Sequence, residues 1–189
     1  PIVFCAGGSD PDNALQTMFA WTADQRFDDR PQFLLGAYSQ TESDTPGLAP
    51  GLIMRTIHRA TVPVLEPFSR EALHKASLVV AMFGQTVYEC LALSTPVLSL
   101  ARTEADYEAS LRLEIATRWR MPGGTAAPVE SFGHLRDVGH GALSSASFCE
   151  RIARIARDTS ARSAIHAASA NLIDGHGVER IANAILGIV

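Results

Sequence analysis

The sequence predicts an α/β domain, a parallel sheet with helices on both of its faces. Three observations lead there. Short, wholly apolar runs such as Ile-Val-Phe-Cys-Ala at 2–6 and Leu-Val-Val-Ala at 78–81 have the length and composition of strands buried on two sides. Stretches with apolar residues three and four apart alternate with those runs, the pattern of strand followed by helix. The 14 residues from Met82 to Thr95, set between two apolar runs, are about enough for one parallel crossover.

Composition narrows the class. At 189 residues, 47% apolar and 19% charged, the chain suits one ordinary domain able to bury a core without a metal or disulfide staple. A formal charge of −4 without a concentrated basic stripe excludes a nucleic-acid partner. Arg151, Arg154 and Arg157 fall at helical spacing, but Glu150 and Asp158 sit among them, as on a solvated helix face. Cys5, Cys90 and Cys149 are odd in number and lie among apolar neighbours, which predicts buried, reduced thiols rather than a disulfide framework or metal site. The six histidines show no metal-ligand spacing, so no metal is expected; no cofactor is expected either. No signal peptide appears and no apolar run approaches the roughly 18 residues of a membrane span, so a cytoplasmic protein is expected. The chain opens directly on a strand without an initiator Met, as a piece of something longer does.

The first strand, 2–6, is stopped by Gly7-Gly8-Ser9-Asp10-Pro11. Ser9 or Asp10 is placed to cap a helix with Pro11 at its first position, and Leu15, Met18, Phe19 and Thr22 form the stripe behind it. Residues 26–31 are charged and aperiodic, and 32–36 make the second strand. Residues 37–51 are a Ser-, Thr-, Pro- and Gly-rich surface loop before a weaker helix at 52–59. A short strand at 61–65 carries Pro63, which suits a sheet edge or a strand end. Ser69 then caps a helix that buries Ala72, Leu73 and Ala76.

The unit 78–100 is a strand, a Gly-centred turn, a short amphipathic helix and a second strand. Residues 103–118 form a helix with Tyr107, Leu111, Ile115 and Arg118 at near-regular steps. Residues 121–133 read as loop and 135–138 as a last small strand. Ser147 and Glu150 have capping-box spacing ahead of Phe148, Ile152 and Ile155, and a further helix carries Ile165, Ala168 and Leu172. The run Asp174-Gly175-His176-Gly177 separates it from a terminal helix with Val178, Ile181, Ala182 and Ile185. There is no internal repeat or linker, so 1–189 is one domain.

Ligands of parallel α/β sheets bind at the carboxyl ends of the strands, where helix N-termini offer N–H groups to anions. The turn Phe83-Gly84-Gln85-Thr86-Val87-Tyr88-Glu89 lies there. Two readings share its residues. In one, Thr86 is the N-cap and Glu89 closes a capping box. In the other, Gly84 admits a close approach, the N–H groups of residues 85–87 hold a diphosphate, and Glu89 binds a ribose. Gly8 and Ser9 fall on the same edge, as does Phe68, which either stacks on a base or joins the core. Glu104 and Asp106 open the helix after the next strand, as helix-dipole companions or as ligands of sugar hydroxyls.

Three motifs in order carry a resemblance over nearly the whole chain. They are Gly7-Gly8-Ser9-Asp10-Pro11, Thr86-x-Tyr88-Glu89-x-x-Ala92-Leu93-x-x-Pro96 and Asp174-Gly175-x-Gly177-x-x-Arg180-Ile181. The chain resembles the C-terminal half of the UDP-sugar hydrolases of pseudaminic-acid biosynthesis and the related spore-coat polysaccharide proteins. Both are similar to the GT-B glycosyltransferases, including the peptidoglycan precursor N-acetylglucosaminyltransferase. The resemblance implies a Rossmann-like domain that binds a UDP-sugar in a cleft facing an N-terminal domain, in cis or on a separate chain, and serves cell-surface polysaccharide biosynthesis.

Carried across, Gly84, Gln85 and Thr86 hold the diphosphate, Glu89 the ribose, the loop at Phe68 the base, and Gly8 and Ser9 line the cleft. The histidine that activates water belongs to the N-terminal half in those hydrolases, so no catalytic residue is expected here. Phe83-Gly84-Gln85-Thr86 replaces the family's run of small residues, and Asp106-Tyr107 stands where the family tends to carry Asn-Gln. The expected activity is hydrolysis at the anomeric carbon with release of UDP. A glycosyltransferase, an epimerase and a non-catalytic binding or assembly module are its rivals.

Overall fold

A computed structural model describes residues 1–7, 10, 13–23, 25, 27, 31–35, 64–67, 69–118, 129–134, 143–169 and 172–187. The elements are β1 (Ile2–Cys5), α1 (Ala14–Thr22), β2 (Gln32–Leu35), β3 (Val64–Pro67), α2 (Arg70–Lys75), β4 (Leu78–Met82), α3 (Gln85–Ala92), β5 (Val97–Ala101), α4 (Glu104–Arg118), β6 (Val129–His134), α5 (Ser145–Arg157), α6 (Thr159–Ser169) and α7 (Gly177–Leu186). The strands form one six-stranded sheet in the order β3-β2-β1-β4-β5-β6. Every pairing is parallel. This is the α/β, Rossmann-like sheet, with helices on both faces.

The two-residue strand period divides the core. On one face Phe4, Phe33, Val80, Leu98, Leu100 and Phe132 pack with Leu15 and Met18 of α1 and with Phe148 and Ile152 of α5. Phe4 stacks on Phe33 at 4.8 Å between centroids, and Phe148 meets Phe132 edge-on at 5.3 Å. On the other face Val3, Cys5, Val79, Ala81, Val97 and Val129 meet Leu73 of α2, Val87, Cys90 and Leu91 of α3, and Leu113 of α4. Each fully buried Val, Leu, Ile or Phe contributes about 1.5–3 kcal/mol, so the sheet's two apolar faces dominate the stability.

Local details differ from expectation, each for a physical reason. Helix α1 starts at Ala14 rather than Pro11, because Asn13 turns left-handed (φ 52°) and sets the N-cap. The edge strand β3 lies two to three residues later than the expected 61–65, and it does stand at the sheet's edge. The expected loop at 37–51, helix at 52–59 and strand at 135–138 lie outside the described residues. The sixth strand is β6, which overlaps the end of the expected loop and runs one residue past it. Its pairing with β5 shifts between Ser99 and Leu100, and Gly133 has a φ of 98°, so the apolar alternation that signals a strand is broken.

Helix α4 buries Ser110 and Thr117 and leaves Ile115 55% exposed, so its sheet-facing side is not the Tyr107, Leu111, Ile115 stripe. Ser110 and the register neighbours Ser99 and Ser131 place buried hydroxyls with no hydrogen-bond partner among the described residues. Glu114 fixes the α4 docking instead, its carboxylate accepting the Ser131 N–H at 2.7 Å. Helix α5 is capped by Ser144, whose Oγ accepts the Ser147 N–H at 3.1 Å, rather than by Ser147. Arg151 and Arg154 are more than a solvated face. Both bind Glu130, and Arg151 lies over the Phe132 ring at 4.3 Å. The stripe expected on α7 exists but faces outward, with Val178, Ile181, Ile185 and Leu186 between 64% and 79% exposed.

Candidate functional site

With β1 in the middle, the chain winds outward through β2 and β3 on one side and through β4, β5 and β6 on the other. The strand order therefore reverses between β1 and β4, and the crevice outside their carboxyl ends is where such sheets bind ligands. Two turns border it, the one after β1 at Ala6-Gly7 and the one after β4 at Phe83-Gly84. Gly7 holds a φ of 93°, a conformation that a side chain would strain.

Strand β4 gives way to α3 abruptly. The Phe83 N–H still donates to the Leu100 carbonyl at 2.6 Å, and Gly84 then takes the N-cap with an extended backbone (φ 158°, ψ −159°). The Val87 N–H donates back to the Gly84 carbonyl at 3.1 Å, so the N–H groups of Gln85 and Thr86 head the helix. No side chain caps them among the described residues. A Cβ built on Gly84 would meet nothing within 4 Å, so the approach to the helix end is open.

The capping-box reading of Thr86 and Glu89 is thereby overturned. Thr86 lies inside the helix and is buried with Val87 and Cys90 against the sheet, which leaves Glu89 on the second turn, too far along to close a box.

The other described helices that follow a strand are closed by the chain itself. Asp10 accepts the N–H groups of Ala14 and Leu15 at 2.7 and 2.9 Å at the head of α1. Ser69 accepts the Ala72 N–H at 3.1 Å for α2. At α4 the Thr103 Oγ1 accepts the Asp106 N–H while the Asp106 carboxylate accepts those of Thr103 and Arg102, a reciprocal box. Ser144 closes α5. Among these, α3 alone presents its positive end unoccupied.

Gln85 and Glu89 lie side by side at the mouth, with the Gln85 Nε2 donating to the Glu89 carboxylate at 3.3 Å. Arg70, in the first turn of α2 and 77% exposed, approaches the same carboxylate at 3.8 Å. A base at a helix N-terminus opposes the helix dipole, and that misplacement is the sequence signal by which Arg70 was available to be found. Tyr88 is 46% exposed and sets its ring edge-to-face against Phe83 at 6.3 Å. Gly84, Gln85, Thr86 and Glu89 are thus brought together. Glu104 and Asp106 start α4 on the same edge, after the neighbouring strand, and Asp106 works as a cap there. Gly8, Ser9 and Phe68 lie outside the described residues.

Neither described cysteine near this edge is poised as a nucleophile. Burial, with a smaller push from the Glu89 carboxylate, outweighs a backbone hydrogen bond from Gly7 and drives the Cys5 thiol up to about 12. Burial likewise raises Cys90, and both stay neutral thiols. Among the described residues no group of three or more His, Cys, Asp or Glu is placed to hold a metal ion, and no helix is long and apolar enough to cross a membrane.

No protein-family model matches the chain, and no curated protein matches it. Among solved structures that match is the glycosyltransferase SnogD from Streptomyces nogalater, at 17% identity and a TM-score of 0.49, over 96% of this chain and 42% of that one. The chain therefore spans less than half the length of that protein.

Proposed function

We propose that this chain is the nucleotide-sugar-binding domain of a GT-B-type UDP-sugar hydrolase, its cleft completed by an N-terminal domain in cis or on a separate chain. The observation that carries the reading is the uncapped N-terminus of α3 at the reversal of strand order, whereas the other described helices that follow a strand are closed by side chains. A diphosphate there meets the N–H groups of Gln85 and Thr86 and the Arg70 guanidinium, while Glu89 accepts from a ribose. The loop at Phe68 takes the base, Gly8 and Ser9 line the cleft, and Glu104 and Asp106 lie toward the sugar.

The chemistry is displacement at the anomeric carbon. The bond from that carbon to the β-phosphate oxygen breaks, its electron pair leaves with UDP, and the helix end offsets the charge that develops. Water supplies the new bond, its proton going to a base on the facing domain. A glycosyltransferase would use the same donor site and replace water with an acceptor alcohol.

Calorimetry with UDP, UMP and UDP-GlcNAc tests the reading. UDP and UDP-GlcNAc are expected to bind in the millimolar range or tighter, and UMP more weakly for want of the second phosphate. Folded protein that takes up no heat at millimolar UDP overturns it. Glu89→Ala should weaken UDP several-fold while changing stability by less than about 0.5 kcal/mol, since Glu89 caps nothing.

A further inference from the structure

The aromatic pair Phe83–Tyr88 is an exposed apolar feature at the mouth of the site that the diphosphate and ribose contacts leave unused. Tyr88 is 46% exposed, although helix residues on either side of it in sequence are folded against the sheet or into polar pairs. Its ring leans back toward the helix start, as helix side chains do, and ends 6.3 Å from the Phe83 ring at an interplanar angle of 65°. Phe83 is half-buried against the core on the α3 face of the sheet, so the Tyr88 ring has an anchored aromatic partner.

Direction assigns the pair to one end of a ligand. Consecutive helix residues point about 100° apart. Thr86, Val87, Cys90 and Leu91 face the sheet, which puts Tyr88 and Glu89 on opposite flanks of the exposed side of α3. The Glu89 flank looks toward Arg70 and α2. The Tyr88 flank meets Phe83, whose N–H continues the ladder to Leu100 of β5. A diphosphate seated at the helix end, with its ribose on Glu89, sends whatever is attached to the second phosphate toward Tyr88. The open space above Gly84 leaves that path clear.

We propose that Tyr88, backed by Phe83, is the wall on which the sugar ring of the nucleotide sugar packs, and that it makes the site prefer a UDP-sugar over UDP. The proposal rests on the nucleotide-sugar reading above. A pyranose presents a face of C–H groups, and an aromatic ring exposed beside an anion site is a surface suited to cover it.

Titration of the full chain with UDP and with UDP-GlcNAc, together with ligand-observed saturation-transfer NMR, tests it. In the native chain the sugar-ring protons should receive saturation. Tyr88→Ala should weaken UDP-GlcNAc about three- to tenfold, leave UDP within twofold, and abolish transfer to the sugar ring, while Tyr88→Phe keeps all three near native. Equal loss for UDP and UDP-GlcNAc would place the ring on the nucleoside and overturn the proposal. Unchanged affinities and transfer would overturn it as well. Because Tyr88 is half-exposed, its truncation leaves the core intact, and Phe83→Leu supplies a second test with the same signature. If the native chain binds UDP and these signatures are missing, only the sugar wall falls. If it binds neither ligand, the underlying reading falls and takes the wall with it.

Discussion

At the head of α1 the Asp10 carboxylate takes the N–H groups of Ala14 and Leu15, whereas at the head of α3 those of Gln85 and Thr86 meet no side chain among the described residues. The two units are otherwise alike. Each is a buried strand, a glycine turn and a helix, and they sit on adjacent parallel strands. A helix end closed by a carboxylate has its partial positive charge answered inside the protein, so a bound anion there would meet repulsion. One left open is neutral toward the fold and attractive to a phosphate. Nearly the same local sequence grammar thus yields a closed helix end beside β1 and an open one beside β4, and the difference lies in where one carboxylate falls.

The comparison can be broken most directly at Asp10. Asp10→Ala should lower stability by about 2 kcal/mol in urea denaturation, because two charge-assisted bonds are lost at once. UDP affinity should stay within about threefold, and a stability equal to the native chain would show that α1 is not closed in this way. At α3 the expectation reverses. Gln85→Glu puts a negative charge in the first turn, where the dipole favours it and the neighbouring Glu89 opposes it, so stability should move by less than about 0.5 kcal/mol. UDP binding should fall about tenfold by calorimetry, and an unchanged affinity would mean that the anion does not sit at this helix end.

The smallest effect concerns the turn before α7, which is pinned by an ion pair although the helix itself has no side-chain cap among the described residues. Asp174 accepts two bonds from the Arg180 guanidinium, at 2.7 and 3.1 Å, and one from the His176 N–H at 3.0 Å. Arg180 first, and the backbone bond second, hold the Asp174 carboxyl at about 2. The folded value lies below the unfolded value of about 4, so this contribution is fully present above pH 4 and is lost as the pH falls toward 2. Asp174→Asn should flatten that part of the acid unfolding curve. The change should be small, because the pair is exposed, and an identical acid limb in the variant would show that the pair contributes nothing.

Much of the fold is legible in the residues. Leu-Val-Val-Ala and Ile-Val-Phe-Cys are strands by their apolar continuity, and Ser69, Leu73 and Ala76 announce α2, because burial on two faces and a capped amphipathic stripe leave a direct trace in composition. The β6 strand left none, since a bulge and Gly133 interrupt the alternation. Helix α4 misled for the opposite reason. Its sheet-facing side includes Ser110, Thr117 and the anchoring Glu114, so hydrophobic spacing pointed at Ile115, which faces outward. In the site, the glycine turn and Glu89 were visible, but their geometry was not. Thr86 has the spacing of a cap and is instead a buried helix residue, and Arg70 joins the site only because α2 begins beside α3.

The sequence by itself determined the alternation of strand and helix, the parallel sheet and the edge on which a ligand would lie, since these follow from local periodicity and from the direction in which parallel strands must run. Tertiary structure alone decided which glycine turn stays open. Whether a carboxylate reaches a helix end is set by backbone angles such as the left-handed turn at Asn13 and the extended one at Gly84, and those are fixed by how each helix docks on the sheet. The same docking put Tyr88 and Glu89 on opposite flanks of α3, an arrangement that spacing along the chain implies only once the buried face of the helix is known.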